Sequence, residues 1–329
     1  MRAKLLVPTA LLGLAAVLAA ACGPAPTPST PDPALPADAA PDAPKERVDF
    51  QAELPPAPPG DLSKFTPPPR GAYPEGAFGD AVRRGEVIFT DTKSVMGEHM
   101  GNDLSCSNCH LDDGRRADSA PMWGAWVKYP AYRKKNDHVN SMEERLRGCF
   151  TYSLDAPHSE SGVAPEAGDP RLTDLQAYMY WLATGAPTGA TMPGRGYPTV
   201  ADPAQPADPT RGARVYAEKC VVCHGEDGQG VRAESEVVFP PLWGDKSYNW
   251  GAGMHRVNTA AGFIQANMPL GQAGSLSDQD AWDVASYINS KPRPQDPRFA
   301  ETGKDTDARF HGHDCHYGET IDGVKLGAR

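Results

Sequence analysis

The sequence predicts an all-α molecule in which one small helical domain occurs twice in tandem. Three observations lead there. The pentapeptide Cys106-Ser107-Asn108-Cys109-His110 returns as Cys220-Val221-Val222-Cys223-His224. Ahead of each stands a helical pattern with a glycine, Arg84-Gly85-Glu86-Val87-Ile88-Phe89 and Arg211-Gly212-Ala213-Arg214-Val215-Tyr216. Behind each comes a Trp-Gly pair, in Pro121-Met122-Trp123-Gly124 and Pro241-Leu242-Trp243-Gly244. Each copy then closes on an apolar-periodic stretch opened by a capping pattern, Thr173 with Gln176 and Ser277 with Asp280.

At 329 residues the chain has room for two ordinary domains. Its hydrophobic fraction of 40% is enough for two cores, and its 34 prolines crowd the front and the linkers. A formal charge of −10 argues against nucleic acid and suits a basic partner protein.

Residues 1–21 read as a signal peptide, because Arg2 and Lys4 precede an apolar run, Leu5 to Ala21, that is too short for a comfortable membrane span. The run ends in Ala19-Ala20-Ala21-Cys22, which looks like a lipoprotein cleavage site with Cys22 as the lipidated residue and attachment to a membrane. The alternative is ordinary cleavage after an Ala-x-Ala. Either way the chain is exported to the periplasm. Residues 22–69, mostly Pro, Ala and Asp, cannot bury enough surface to fold and read as a tether, which favours an anchor at Cys22.

The first domain takes residues 70–186. Its opening helix carries Gly85 on a face where a second helix can cross closely, with an aromatic one turn on. Trp123 is placed to lay its indole against a cofactor edge. A Pro/Gly-rich linker, 187–208, leads to the second domain, 209–292, where Gly212 and Trp243 hold the equivalent places. Residues 293–329 form a tail without clear periodicity that carries His311, His313, Cys315 and His316. Metal binding there is one reading of Cys315, and a structural cysteine is the plainer one.

Each Cys-x-x-Cys-His has the spacing of a c-type haem attachment site. The thiols of Cys106 and Cys109, and of Cys220 and Cys223, take up the porphyrin vinyl groups as thioethers. His110 and His224 then ligate iron from the proximal side. A zinc site would need four ligands at closed tetrahedral spacing, which the chain does not offer. Two covalently attached haems follow, and the order of elements resembles the small all-α cytochrome c fold in tandem.

The function then depends on the other face of each iron. In the second copy Met268-Pro269 lies just before the closing helix, so Met268 is the expected distal ligand, with Met254 and His255 as rivals. Methionine sulfur favours ferrous iron and a raised potential, which suits outward electron delivery. The first copy has no Met-Pro there. Its interval holds His138, Met142, Cys149 and His158. Arg145, Cys149 and Ser153 share a helical face at four-residue spacing, and the basic run Arg133-Lys134-Lys135 lies upstream. One reading is a buried apolar cysteine, another a disulfide from Cys149 to Cys315. The third is a thiolate held charged by cations and iron in a pocket that attracts a small anion.

At these residues the chain resembles the di-haem thiosulfate dehydrogenases, bacterial periplasmic enzymes that join two thiosulfates into tetrathionate and release two electrons, some of them working well in reverse. The resemblance runs from about Phe78 through the second domain. It is most specific in Gly101 to His110, in Arg145 to Ser153, and in Asn249-Trp250-Gly251-Ala252-Gly253-Met254-His255-Arg256-Val257-Asn258. It implies a first haem ligated by His110 and an essential Cys149, with Arg145, Ser153 and a member of the Arg133-Lys134-Lys135 run lining the substrate pocket. It implies a second haem ligated by His224 and Met268 that hands electrons to a partner cytochrome. Where some relatives have a lysine before that methionine this chain has Asn267, so no Lys/Met exchange is expected. The rivals are a di-haem electron carrier without substrate, a di-haem peroxidase using His138 or His158, and a sulfur carrier in which Cys149 only holds sulfur.

Overall fold

The computed structural model describes residues 65–135, 137–233, 236–299, 307–312 and 314–327. The signal peptide, Cys22, nearly all of the tether and His313 lie outside the described residues. Among the described residues no helix is long and apolar enough to cross a membrane.

In the first half, helix α1 (Gly76–Thr90) buries Val82, Gly85, Ile88 and Phe89 on one face, the spacing of an amphipathic helix. Helix α2 (Met142–Tyr152) opens at a capping box. Ser141 Oγ accepts from the Glu144 amide at 3.1 Å, and the Glu144 carboxylate accepts from the Ser141 amide at 2.7 Å. Helix α3 (Pro170–Leu182) corrects the expected cap. Asp169 accepts from the Arg171 amide at 2.8 Å and Pro170 takes the first helical position. Thr173 is therefore already helical, and Gln176 bonds back to the Leu172 carbonyl at 3.2 Å. An Asp-Pro start prevails because the carboxylate satisfies an orphan amide while proline has none to orphan.

In the second half, helix α4 (Pro209–Lys219) repeats the Asp-Pro start at Asp208. Helix α5 (Val257–Asn267) is buried along most of its length. Helix α6 (Asp278–Asn289) opens at Ser277 as expected, with Ser277 Oγ accepting from the Asp280 amide at 3.1 Å. Small antiparallel hairpins decorate this helical frame. They are β1 (Ala131–Arg133) with β2 (His138–Asn140), β3 (Val231–Ala233) with β4 (Glu236–Phe239), and β5 (Thr320–Ile321) with β6 (Val324–Lys325).

The sequence repeat is a repeat of one helix crossing. A Cβ on Gly85 would strike the Asp174 carbonyl and Tyr178 of α3, and one on Gly212 would strike the Asp283 carbonyl and Tyr287 of α6. Beside each glycine an arginine grips the same partner residue. Arg84 binds the Asp174 carboxylate at 2.8 and 2.7 Å, and Arg211 binds Asp283 at 2.7 and 2.8 Å. Glycine lets the backbones touch, and the bidentate guanidinium fixes the register. Around each crossing lies a separate apolar core, one centred on Val82, Phe89, Leu172 and Tyr178, the other on Tyr216, Ala261, Ala281 and Val284. A third, smaller cluster joins the tail to the body through Trp250, Tyr317 and Leu326.

Buried asparagines tie the halves together. Asn102 donates to the Ser153 carbonyl at 2.9 Å and the Ser247 carbonyl at 3.1 Å. Asn249 donates to the Thr151 carbonyl at 2.9 Å and to Asp155 at 2.8 Å. Asn267 donates to the Asp118 carbonyl at 3.0 Å. Both Asn102 and Asn249 thus satisfy carbonyls at the C-terminal end of α2, where four would otherwise lack partners.

Candidate active site

Two apolar cavities lie on either side of the Cys106–His110 turn. The first has about 850 Å³ of free space, part of it open to solvent, and is lined by Cys106, His110, Met122, Met179, Arg145 and Cys149 among others. The second has about 1310 Å³ and is lined by Cys220, Cys223, His224, Met254 and Met268, with Ser107, Asn108 and Cys109 of the first motif forming part of its wall.

Each histidine is prepared to ligate. His110 Nδ1 donates to the Ala120 carbonyl at 2.7 Å, and His224 Nδ1 to the Pro240 carbonyl at 3.1 Å. That leaves Nε2 as the donor atom for a metal. Burial pushes the His110 pKa down to about 4 and lowers that of His224 as well, so both rings stay neutral. Thiols beside a neutral imidazole on the wall of an apolar cavity are the donor chemistry a thioether-bound haem requires, so these residues fit that group.

Helix α2 forms part of the wall of the first cavity. Its buried Met142, Leu146 and Phe150 line that space together with Arg145 and Cys149. One turn apart, they meet: Arg145 Nη1 donates to Cys149 Sγ at 2.8 Å. The charge near that sulfur holds the Arg145 pKa above its ordinary value. Lys128, Tyr129 and Arg195 also line this cavity. Sequence reasoning missed Lys128 and Arg195, because each is a lone cation in a loop with no pattern around it.

The basic run divides. Arg133 donates to the Tyr129 hydroxyl at 2.9 Å, at the edge of the cavity. Lys134 is exposed. Lys135 turns to the second half, where Nζ donates to the Gly251 carbonyl at 2.6 Å and sits 3.7 Å from the centre of the Tyr152 ring. Burial, reinforced by Arg298, Arg145 and Arg133, pushes its pKa down to about 7. Ser153 is not among the residues lining the first cavity. It ends α2, its amide donating to the Cys149 carbonyl at 2.8 Å.

The structure corrects the expectation for the tryptophans. Neither Trp123 nor Trp243 is among the residues lining these two cavities; their neighbours Met122 and Leu242 are. The Trp123 indole turns inward because its Nε1 donates to the Arg115 carbonyl at 2.9 Å, a bond a buried indole requires. Trp243 packs between Tyr216 and Tyr287, with ring centroids at 5.2 and 5.8 Å.

Other candidates fall away from the cavities. His138 pairs with Glu144 at 3.2 Å and His158 with Asp155 at 2.9 Å, and neither ring lines the first cavity. His255 is absent from the second cavity and faces the tail, whereas Met254 and Met268 both border that cavity. Cys149 and Cys315 form no disulfide with each other.

Known proteins resemble each half of the chain. The family model for cytochrome c matches residues 209–291, and that for the SoxA/TsdA cytochrome c domain matches residues 93–188. A thiosulfate dehydrogenase from Stutzerimonas stutzeri (strain A1501) is 52% identical over 268 residues, 80% of this chain and 85% of the relative. One from Thiomonas intermedia (strain K12) is 47% identical over 84% of this chain and 89% of the relative. The solved structure of thiosulfate dehydrogenase (TsdBA) from Marichromatium purpuratum in its "as isolated" form superposes with a TM-score of 0.78 at 56% identity. That match takes in 80% of this chain and 58% of that longer one.

Proposed function

The chain belongs to the di-haem thiosulfate dehydrogenase family and is a thiosulfate-oxidising enzyme with two covalently attached c-type haems, and from that premise we propose that it couples two thiosulfates into tetrathionate at Cys149. The observation that carries this reading is the 2.8 Å contact from Arg145 to Cys149 Sγ in the cavity that also holds His110. A nucleophilic sulfur, a fixed guanidinium and a proximal haem histidine face one space.

In this reading His110 and Cys149 would hold the first haem iron, with Cys149 free to leave it for substrate, and His224 and Met268 would hold the second. When bound, the two haems supply one-electron acceptors for the pair of electrons that the coupling releases. Cys149 does the covalent work. Its sulfur bonds to the outer sulfur of one thiosulfate, giving Cys–S–S–SO3⁻ and releasing two electrons. The outer sulfur of a second thiosulfate attacks the sulfur next to the sulfonate. Tetrathionate leaves and the Cys149 thiolate returns. Splitting one coupling into two displacements at a held nucleophile is what such a residue offers.

The cations answer a repulsion. Unit charges about 4 Å apart at a partly buried site repel by roughly 4 kcal/mol, and two dianions by about four times that. Arg145 binds the reacting sulfur and one oxyanion, while Lys128 and Arg195 offset the charge of the second substrate. With a haem held by His224 and Met268, the second site would supply the route by which electrons reach a partner cytochrome, and the reverse reduction of tetrathionate would use the same residues. The sequence also supports placing the enzyme in the periplasm, tethered by a lipid on Cys22. The His138 and His158 positions give little support to a peroxidase.

The test is an assay with thiosulfate and ferricyanide, with tetrathionate quantified and the reverse direction run on tetrathionate with a reduced viologen. One tetrathionate per two thiosulfates is expected. Cys149→Ala retains both haems by absorbance and loses turnover by at least a thousandfold, on the order of losses seen for covalent nucleophiles. Substantial activity in that variant removes Cys149 from the reaction.

A further inference from the structure

Three donor atoms that belong to neither cavity converge beneath the C-terminal tail. His255, His311 and Cys315 each offer one ligand atom, and these atoms lie within 4.8 Å of one another. His255 is 3% exposed and His311 is 4% exposed. The sequence showed His311 and Cys315 as neighbours in the tail but gave no hint that His255, far upstream, joins them.

The histidines are oriented as ligands are. His255 Nδ1 donates to the Ala252 carbonyl at 2.5 Å, so Nε2 carries the lone pair, and that buried atom has no hydrogen-bond partner. His311 is set the opposite way. Its Nε2 donates to Asp296 Oδ2 at 2.9 Å, leaving Nδ1 beside Cys315 Sγ at 3.4 Å. Asp296 is fully buried and gripped by Arg298 at 2.9 and 2.6 Å. A carboxylate behind a histidine fixes its tautomer and raises its basicity, the usual support for a metal-ligating imidazole. The Tyr317 amide donates to Cys315 Sγ at 3.4 Å, which suits a thiolate.

We propose that His255, His311 and Cys315 form a mononuclear zinc site that pins the C-terminal tail to the body of the enzyme. Two imidazoles and a thiolate exclude the hard, oxygen-seeking cations and suit a borderline ion, with a fourth position left for water or another donor. Copper electron-transfer sites built on the same three ligands add an axial methionine. Here Met254, next to His255 in sequence, borders the second cavity instead. Charge does not oppose the assignment. Arg298 is paired with Asp296, and the thiolate brings its own negative charge. The consequence is mechanical. His311 stacks on Tyr317 with ring centroids 3.9 Å apart, Tyr317 packs on Trp250, and Trp250 lies between Asn249 and Gly251, the residues that hold α2 and Lys135.

The experiment uses the full-length holoenzyme. Metal content is measured by mass spectrometry after loading with zinc and dialysis, and the two haem irons serve as an internal standard. About one zinc per two irons is expected, and X-ray absorption at the zinc edge should give two nitrogens and one sulfur. His255→Gln and Cys315→Ser should each lose the zinc, keep both haems and expose the tail to limited proteolysis. Zinc that dialyses away, a zinc shell without sulfur, or copper in that shell overturns the proposal, and the wild-type spectra decide even if a variant fails to fold.

Discussion

In the proposed reaction Arg145 does two jobs that a lysine could not do together. Its guanidinium donates to Cys149 Sγ at 2.8 Å and still has donors for a sulfonate oxygen. Arg145→Lys keeps the charge and loses the fork. We expect kcat/KM for thiosulfate to fall about tenfold to a hundredfold, the range of a lost charge-assisted hydrogen bond. Arg145→Gln should fall further, and stopped-flow reduction of the haems would separate binding from chemistry. Lys135 gives a second prediction at this scale. Burial first, then Arg298, Arg145 and Arg133, push its pKa down to about 7, against the opposing pull of Asp296. A lysine is charged below its pKa, so the positive field that Lys135 adds near Arg145, from outside the cavity lining, is present at pH 6 and mostly gone by pH 8. KM for thiosulfate should therefore rise severalfold across that interval, and Lys135→Arg, which stays charged, should flatten the rise. A flat wild-type profile would mean that Lys135 only bridges the halves.

At the scale of elements, the helix crossings make a prediction that the sequence repeat already contained. Gly212→Ala would drive a methyl group into the Asp283 carbonyl and Tyr287. Separating α4 from α6 should cost about 1–3 kcal/mol, seen as a lowered thermal midpoint with the haem content unchanged. Gly85→Ala should do the same to the first core. These glycines were legible because close backbone contact leaves a residue-type signature in a fixed place before each Cys-x-x-Cys-His. Cys149 and Arg145 were legible for a related reason, since four-residue spacing on a helix guarantees a shared face. The tryptophans were not. Their repeated position was visible, but the direction of an indole depends on which carbonyl its N–H reaches, here that of Arg115 for Trp123. Nor could the basic run show that Lys135 would leave Arg133 and cross to Gly251, because that choice is made by a partner more than a hundred residues away. The start of α3 was misplaced because Thr173 with Gln176 mimics a cap that Asp169-Pro170 supplies earlier.

For the molecule as a whole, the shared wall between the cavities matters most. Cys109 belongs to the first motif yet lines the second cavity, with Leu111 beside it. One turn of chain, from Cys106 to Leu111, thus contributes to the lining of both spaces. Met268→Leu tests which of the two haem sites faces outward. It should lower the potential of the second centre by on the order of 0.1 V, a modest part of the span that axial ligands command, and leave the first unchanged. Movement of the low-potential centre instead would reverse the assignment. The surface makes the remaining prediction. With a formal charge of −10 the protein attracts a basic partner and repels an anionic acceptor. Raising ionic strength from about 0.01 M to 0.15 M shortens the reach of those forces from about 30 Å to about 8 Å. At saturating thiosulfate, kcat/KM for a basic cytochrome should then drop by about tenfold or more, while that for ferricyanide should rise. The opposite signs matter, because a general effect of salt on the fold or on thiosulfate binding would move both acceptors the same way. Only a field at the electron exit drives them apart, and equal slopes would place that exit on a neutral face.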